Sequence, residues 1–253
     1  MHDESALDSI CEAGELDSED TVLEIGPGTG TLTRKLMATA GKVIAVEKDE
    51  SLLRELETSF AHELIAKNLQ LESGDILEFD LTSLPANYKV VANIPYYLTS
   101  NLVRVLSESA NPASRVVLLV QKEVAERLAA KPGDMSLLSV SAQFYWEVSL
   151  GMVVPAKLFT PPPKVDSQVV ILKRHQQPLL QVDTKKFFQL VKAGYSARRK
   201  TLANSLAGGL RTEKQQIEKA LVEAGLKPEL RAQTLSLADW NKLYDACVKL
   251  KII

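Results

Sequence analysis

Short apolar runs rich in β-branched residues alternate with stretches of helical spacing over the first two thirds of the chain. The runs predict seven β-strands, at Thr21–Ile25, Lys42–Val46, Leu69–Glu72, Lys89–Asn93, Arg115–Val120, Val148–Val154 and Gln168–Lys173. Helices are predicted between the early strands, near residues 31–40, 50–66, 99–110 and 121–130. This alternation is typical of an α/β fold in which a parallel sheet carries helices on both faces.

The last two predicted strands are joined by a proline-rich loop, Pro161-Pro162-Pro163, with no room for a crossover helix. Because a parallel connection needs such a crossover, these strands are predicted to form an antiparallel hairpin. Beyond about residue 177 the strand pattern stops. Apolar residues at spacings of four and seven then predict helices, with Gly208-Gly209 ending that region and two short helices following. We therefore expect two domains, an α/β domain over residues 1–177 and a small helical domain over residues 178–253.

The composition excludes several classes of protein. Apolar residues make up 45% of the chain and charged residues 25%, which is typical of a soluble globular protein. The two cysteines, Cys11 and Cys247, lie near opposite ends, so neither a disulfide framework nor a zinc site is expected. No apolar run is long enough to span a membrane, and the first residues lack the apolar stretch of a secretory signal. We expect a cytoplasmic monomer that holds no metal.

The net charge of −2 hides an uneven distribution. Residues 1–80 contain 19 acidic and 6 basic residues, whereas residues 81–253 contain 13 acidic and 24 basic ones. Between Thr184 and Thr212 there are seven basic residues and no acidic one. Lys185, Lys192 and Arg199 recur every seven residues, so they are predicted to share one helix face. Charge alone leaves two interpretations open, a surface for a polyanion or a solvated helix face.

The first predicted strand leads into Glu24-Ile25-Gly26-Pro27-Gly28-Thr29-Gly30 and then into a helix. Glycines at such a turn let the backbone approach a ligand closely. A dinucleotide fingerprint needs Gly or Ala where this chain has Thr31, and a P-loop needs a Gly-Lys-Ser/Thr sequence that is missing. The loop therefore favours a nucleoside with a small charged tail, although a plain structural turn is an alternative.

Two further acidic residues follow predicted strands. Glu47 ends the second strand, where a carboxylate can accept hydrogen bonds from both ribose hydroxyls. Asp75 follows the third strand, where it could accept a hydrogen bond from an adenine amino group. The alternative for each acid is a surface charge or a helix cap. Acidic residues at the ends of three successive strands nevertheless indicate a ligand site, because open α/β sheets bind ligands there.

The order of the E-x-G-x-G-x-G loop, the strand-end Glu and the Gly-Asp pair resembles the class I S-adenosylmethionine-dependent methyltransferases. The resemblance implies a Rossmann-like, mostly parallel seven-stranded sheet that ends in an antiparallel hairpin. It also implies that Gly26, Gly28 and Gly30 surround the methionine part of the cofactor, with Glu24 near it. Glu47 would bind the ribose and Asp75 the adenine.

The fourth predicted strand ends in Asn93-Ile94-Pro95-Tyr96, which resembles the N-[I/L/P]-P-[Y/F] motif of methyltransferases that act on exocyclic amines of nucleobases. An adenine 6-amino nitrogen is a poor nucleophile because its lone pair is delocalised into the ring. The Asn93 side-chain carbonyl and the Ile94 backbone carbonyl could accept hydrogen bonds from its two protons and favour a pyramidal nitrogen. Orientation would then be the main contribution to catalysis, and Tyr96 would stack on a base taken out of its helix. A simple turn after the strand is the alternative.

Two more segments make the resemblance specific: Phe159-x-Pro161-x-Pro163-Lys164-Val165-Asp166-Ser167 and Tyr195-Ser196-x-Arg198-Arg199-Lys200-Thr201-Leu202. With Asn93-Ile94-Pro95-Tyr96 they resemble the KsgA/RsmA family of small-subunit ribosomal RNA adenine dimethyltransferases, over about residues 16–253. The family implies S-adenosylmethionine-dependent dimethylation of two adjacent adenosines in a hairpin loop near the RNA 3′ end, on the pre-30S subunit.

The same resemblance suggests roles for individual residues. Asn93 would contact both cofactor and target, and Phe159 would hold the other face of the base. The helical domain would engage RNA through phosphate contacts, for which the basic residues are Lys185, Lys192, Arg198, Arg199 and Lys200.

One departure from the family concerns the start of the chain. Family members usually carry a Gln-x-Phe-Leu-type motif before the first helix, and no such motif is present here. Three other functions stay open. They are a large-subunit rRNA adenine methyltransferase of the macrolide-resistance type, a non-catalytic ribosome assembly factor, and a nicotinamide oxidoreductase that Thr31 and Asn93-Ile94-Pro95-Tyr96 disfavour.

Overall fold

The computed structural model describes residues 3–253, which pack into two units. The first unit comprises the residues through Glu126 and Trp146–Arg174, and the second comprises Arg127–Tyr145 and His175–Ile253. The end of the first unit at Arg174 lies close to the predicted boundary at residue 177. Residues 127–145 differ from the prediction, because they pack with the later helices although they precede the hairpin in sequence.

All seven predicted strands form a single sheet in the first unit. Their bounds are β1 Thr21–Ile25, β2 Lys42–Glu47, β3 Leu69–Ser73, β4 Lys89–Asn93, β5 Arg115–Gln121, β6 Trp146–Val154 and β7 Ser167–Arg174. The strand order is β3-β2-β1-β4-β5-β7-β6. The first five strands are parallel to one another, and β7 is antiparallel to both β5 and β6. The predicted antiparallel hairpin is therefore confirmed.

The central strands are buried on both faces, which explains why they appear in the sequence as continuous apolar runs. In β5, for example, every residue from Val116 to Val120 is fully buried. The order of strands reverses between β1 and β4, since β2 and β3 extend the sheet on one side of β1 and the later strands extend it on the other. Such a reversal separates the connections that follow the two strands and leaves a crevice at their carboxyl ends.

Helices flank this sheet along the chain. Those of the first unit are α1 Glu4–Gly14, α2 Thr31–Met37, α3 Glu50–Ser59, α4 Ala61–Ile65 and α5 Thr99–Glu108, and α6 Lys122–Leu128 crosses the boundary between the units. The Asp3 carboxylate caps α1 by accepting a hydrogen bond from the Ala6 N–H at 2.8 Å. The helix predicted over 50–66 is interrupted at Phe60, whose fully buried ring packs beneath the glycine loop. The helix predicted over 31–40 ends three residues early.

The first residue of the β6–β7 hairpin joins it to helix α5. The Trp146 Nε1–H donates a hydrogen bond to Ser107 Oγ at 2.8 Å, which joins β6 to α5. The pairing of β6 with β7 is irregular between Leu150 and Val153. Such a bulge bends the strand, and it lies just before the proline-rich loop.

The second unit consists of helices around its own apolar core. The helices that follow α6 are α7 Leu137–Tyr145, α8 Thr184–Gly194, α9 Leu202–Leu210, α10 Lys214–Glu223 and α11 Leu237–Lys249. Phe187, Leu206 and Trp240 are completely buried in this core. Helix α7 was not predicted from the sequence. Nor does Gly208-Gly209 end α9, which continues to Leu210.

The predicted common face of Lys185, Lys192 and Arg199 is wrong. Helix α8 ends at Gly194, so Arg199 lies in the loop before α9 while the two lysines lie on the helix. The last residue of the helix, Gly194, packs against Trp240, where an added Cβ would lie 2.4 Å from the indole ring. Within residues 3–253, no helix is long and apolar enough to cross a membrane.

The glycine pair of α9 gives a test of this packing. A Cβ added at Gly209 would lie 2.7 Å from the Ala193 Cα of α8, whereas one added at Gly208 would meet nothing within 4 Å. We expect Gly209→Ala to lower the free energy of unfolding by about 1–3 kcal/mol through overpacking. Gly208→Ala should raise it by up to about 1 kcal/mol, because alanine favours the helix. Urea unfolding of both variants checks this, and a stabilising Gly209→Ala would contradict the close approach of α8 and α9.

Candidate active site at the carboxyl ends of the strands

The predicted site residues of the α/β domain come together at the carboxyl ends of four adjacent strands. Glu24 lies near the end of β1, Glu47 ends β2, Asp75 follows β3 by two residues and Asn93 ends β4. Because these strands are neighbours in the order β3-β2-β1-β4, their ends line one edge of the sheet. The reversal of strand order falls between Glu24 and Asn93, so the four residues border the crevice described above.

The glycine loop between β1 and α2 needs its glycines for two different reasons. Gly26, Gly28 and Gly30 all have positive φ angles, of 65°, 59° and 78°, which favour glycine. A Cβ added at Gly26 or Gly28 would meet nothing within 4 Å, so the loop is open on that side. At Gly30 a Cβ would lie 2.4 Å from the Phe60 ring, so glycine is also required for packing.

Glu24 is a buried carboxyl group beneath this loop. Its side chain is 1% exposed, and neither carboxylate oxygen has a hydrogen-bond partner among the residues that the structure describes. Burial, with a smaller contribution from the nearby Glu47 carboxylate, raises the pKa of Glu24 to about 8. The Thr33 hydroxyl opposes this rise, although its distance and angle to Glu24 do not form a regular hydrogen bond. An uncompensated buried carboxylate is unfavourable, so Glu24 is protonated over much of the neutral range.

Glu47 connects the end of β2 to the glycine loop. Its Oε1 accepts hydrogen bonds from the Lys48 and Asp49 backbone N–H groups at 2.8 and 2.9 Å. Its Oε2 accepts one from the Gly28 N–H at 3.2 Å. Each carboxylate oxygen can accept two hydrogen bonds, so Oε2 keeps capacity for a ligand hydroxyl.

Asp75 lies in a tight turn after β3. Its Oδ1 accepts a hydrogen bond from the Leu77 N–H at 2.9 Å, and its Oδ2 lies 2.9 Å from the Lys48 Nζ. The Leu77 N–H and the Lys48 ammonium hold the pKa of Asp75 below its usual range. Asp75 is therefore a charged acceptor beside Glu47.

Taken together, these residues fit a cofactor of the S-adenosylmethionine type. An open glycine cradle can admit a small tail, and Glu24 provides a buried acidic group without a partner beneath it. Glu47 and Asp75 provide acceptors on the next two strands, where an adenosine can extend from one to the other.

The segment after β4 folds into a tight turn that fixes Tyr96. The Leu98 N–H donates to the Pro95 carbonyl at 3.0 Å, which closes a 3-10 turn over Tyr96–Leu98. The Tyr96 hydroxyl lies 2.8 Å from Ser167 Oγ, at the start of β7. Asn93 is half-buried, whereas Ile94 is buried. Tyr96 is thus held at the crevice by a contact with a distant part of the chain.

Phe159 lies at the same end of the sheet as Ser167. It is half-buried and packs against the apolar core that includes α1. The loop that carries it is fastened through Asp166, whose Oδ1 accepts a hydrogen bond from the Ala156 N–H at 2.9 Å and whose carbonyl accepts one from the Lys122 N–H at 3.0 Å. Asp166 and Ser167 were noted only as part of a motif, and the structure gives them these contacts.

The basic residues proposed for RNA all lie in the second unit, where they are exposed. This unit contains a cavity of about 440 Å³ whose lining includes four basic residues and one acidic residue: Arg127, Arg198, Lys200, Arg231 and Asp134. None of the four cations forms an ion pair within residues 3–253. The cavity therefore carries an excess of unpaired positive charge.

Two of these four cations, Arg127 and Arg231, were not predicted. They lie far from the basic run in sequence, and folding brings them to it. The segments are joined by Gln233, whose carbonyl accepts hydrogen bonds from the Gly133 and Met135 N–H groups at 2.9 and 3.1 Å. Its side-chain amide donates to the Gly133 carbonyl at 3.0 Å. Of the predicted basic residues, Lys185, Lys192 and Arg199 do not line the cavity.

Comparisons with known proteins agree with this arrangement. A family model described as ribosomal RNA adenine dimethylase matches residues 1–249. Ribosomal RNA small subunit methyltransferase A from Dehalococcoides mccartyi (strain CBDB1) is 43% identical over 244 residues, which cover 95% of this chain and 83% of that protein. The protein of the same name from Lactococcus lactis is 40% identical over 262 residues, covering 99% and 88%.

Two solved structures resemble the whole chain. A dimethyladenosine transferase from Plasmodium falciparum has a TM-score of 0.86 and 29% identity, covering 99% of this chain and 98% of that one. The 23S rRNA methyltransferase ErmE has a TM-score of 0.77 and 27% identity, covering 96% and 97%.

The buried Glu24 predicts a specific pH dependence of stability. Because burial raises the pKa from 4.5 in the ordinary carboxyl to about 8, the folded state loses stability through this group as the pH rises from 4.5 through 8. Glu24→Gln removes that loss, so its free energy of unfolding relative to the native chain should increase between pH 5 and pH 8.5. The gain is a few kcal/mol at most, since one pKa unit corresponds to about 1.4 kcal/mol. Urea unfolding of both chains across this range checks it. If the two free energies of unfolding change with pH in the same way, Glu24 is ionised in the folded state.

Proposed function

Because the chain belongs to the ribosomal RNA adenine dimethylase family, we propose that it dimethylates the 6-amino groups of two adjacent adenosines in a 3′-terminal hairpin loop of small-subunit ribosomal RNA. S-adenosylmethionine supplies the methyl group as an electrophilic carbon on a sulfonium. The observation that carries the proposal is the meeting of the glycine loop, Glu47, Asp75 and Asn93 at the ends of four adjacent strands. Relatives at 40–43% identity that are named small subunit methyltransferase A favour the small-subunit substrate.

The cofactor is held, in this proposal, by acceptors on three strands. Gly26, Gly28 and Gly30 leave room for the methionine part, beneath which Glu24 offers a carboxyl group. The remaining capacity of Glu47 Oε2 suits a ribose hydroxyl. Asp75 accepts a hydrogen bond from the adenine amino group. This contact gives selectivity for adenosine, because a donor that loses its water on binding needs another partner.

The Asn93 side chain and the Ile94 backbone activate the target nitrogen by orienting it. Two carbonyl acceptors on the amino protons favour a tetrahedral nitrogen with its lone pair exposed for attack. No base is required before attack, because the methylated ammonium is acidic and loses its proton to water afterwards. Pro95 fixes the backbone at this point, since its ring restricts φ, and Pro95 precedes the turn that carries Tyr96.

Tyr96 and Phe159 are proposed to enclose the target base. A base must leave its helix or be unpaired before chemistry at the 6-amino group is possible. Aromatic stacking offsets part of that cost. The contact of the Tyr96 hydroxyl with Ser167 fixes the ring before the base arrives, so little side-chain entropy is lost on binding.

The second unit supports RNA binding through its unpaired cations. Phosphate contacts of lysine and arginine provide affinity without reading sequence. We extend the predicted set of Lys185, Lys192, Arg198, Arg199 and Lys200 by Arg127 and Arg231, which line the cavity. We further propose that the protein acts as a cytoplasmic monomer on the pre-30S subunit.

The likeness to ErmE keeps a second candidate, an adenine methyltransferase of large-subunit RNA. Methyl incorporation into unmethylated pre-30S particles and into naked 23S RNA separates the two. We expect labelling of adenosines in the pre-30S particle. Labelling of 23S RNA alone would favour the second candidate.

Asn93→Ala tests the contact with the amine. We expect a fall of at least about 100-fold in methyl transfer, because one oriented polar group contributes that much to catalysis. Binding of S-adenosylhomocysteine, measured by calorimetry, should stay within about threefold. Asn101→Ala is the matched control, since Asn101 is exposed on α5, and it should transfer methyl groups normally. Near-native activity of Asn93→Ala would refute the proposed contact.

Arg127→Ala and Arg231→Ala test the basic cavity. Each should weaken RNA binding and reduce the slope of log Kd against log salt by about 1, as expected for loss of one phosphate contact. Lys214→Ala removes a cation that is paired with Glu218 on α10, so its slope should stay unchanged. A filter-binding salt titration measures all three, and unchanged slopes for both arginine variants would remove the cavity from the RNA interface.

A further inference from the structure

Lys48 is a basic residue placed among the acidic groups of the cofactor site. It directly follows Glu47, and its Nζ lies 2.9 Å from Asp75 Oδ2. Its side chain therefore crosses from the end of β2 to the turn after β3. An adenosine held by Glu47 at the ribose and by Asp75 at the amino group has to cross between the same two strands.

Each carboxylate oxygen of Asp75 already has one hydrogen-bond partner, and only one of these two partners can leave. Oδ1 accepts from the Leu77 N–H at 2.9 Å, which the backbone turn holds in place. Oδ2 accepts from the Lys48 ammonium, which an exposed and flexible side chain carries. The amino group of an adenine is thus expected to meet Asp75 at the oxygen that Lys48 occupies.

On this basis, and resting on the proposed function, we propose that Lys48 is a removable cap of the adenine site. Its ammonium occupies Asp75 Oδ2 while the site is empty, and it leaves that oxygen when the adenine amino group binds. Lys48 thereby sets the affinity for the cofactor by competing with it, while the charge of Asp75 stays paired in the free protein.

The displaced ammonium has another acidic partner close by. Glu78 belongs to the same turn as Asp75, since the Glu78 N–H donates to the Asp75 carbonyl at 2.9 Å. The hydrogen bond and charge of Asp75 raise the pKa of Lys48, and Tyr97 and Glu78 add to this effect. In this proposal the displaced ammonium pairs with Glu78 and keeps its charge.

The exposure of the ion pair determines the size of the effect. The Lys48 side chain is 74% exposed and that of Asp75 is 28% exposed. Exposed ion pairs contribute little, so a ligand displaces the ammonium readily. The expected effect of removing the cap is an affinity gain of about two- to fivefold.

Calorimetric titration with S-adenosylhomocysteine and with adenosine tests the cap in the full-length chain. Neither probe carries a net charge, which limits the direct effect of removing a lysine. We expect Lys48→Met to bind both probes about two- to fivefold more tightly than the native chain. Raising the salt concentration should tighten binding to the native chain, because it screens the ion pair, and should leave Lys48→Met nearly unchanged.

Two control variants make the result specific. Lys249→Met removes an equal charge from the exposed pair with Glu223 in the second unit, and its affinity should match that of the native chain. Glu78→Gln removes the second partner of Lys48, so it should weaken binding in the native background but not together with Lys48→Met. Equal or weaker binding by Lys48→Met would overturn the cap while leaving the proposed function intact. Failure of the native chain to bind S-adenosylhomocysteine would overturn both.

Discussion

The reversal of strand order between β1 and β4 is the constraint on which the candidate site depends. Parallel strands place all their carboxyl ends at one edge of the sheet, and at a reversal the following connections diverge in opposite directions. In this chain the glycine loop leaves from one side of that point and the Asn93 segment from the other. A cofactor and a target base that approach from these two sides meet between β1 and β4. Under the proposed function, the sheet therefore brings the two substrates together before any side chain acts on them.

Hydrogen bonds then connect the strand ends along this edge of the sheet. Glu47 joins the end of β2 to the glycine loop through the Gly28 N–H, and the Tyr96 hydroxyl joins the turn after β4 to the start of β7. Both contacts involve residues that we propose to bind a ligand. The same groups thus maintain the shape of the site and remain available to a ligand, which is consistent with catalysis that depends mainly on orientation.

The sequence predicted the sheet well because each central strand is a short apolar run buried on both faces, and such runs are local features. Helix ends were predicted less well, because packing determines them. Helix α8 stops at Gly194 against Trp240 and α9 continues through Gly209 beside Ala193, and neither contact is visible in a helical pattern. The placement of residues 127–145 in the second unit has the same origin, since the apolar faces they cover belong to helices more than 40 residues later.

For the site, the motifs indicated which residues lie at the strand ends. Arg127 and Arg231 were not predicted, because an isolated basic residue in a sequence does not indicate a binding surface. Folding brings these two to the same cavity.

Under the proposed function, the near-zero net charge of the chain is the sum of two opposite requirements. A cofactor with a cationic sulfonium and an amino group favours acidic groups, and Glu24, Glu47 and Asp75 all fall in the acidic first 80 residues. RNA phosphates favour cations, and the unpaired arginines and lysines line a cavity of the second unit. Acidic groups placed close together also raise one another's pKa, as Glu47 does for Glu24. Lys48, at the edge of this acidic group, pairs with Asp75. Its contact with the acid that is proposed to recognise adenine links the charge balance of the empty site to its affinity for the cofactor.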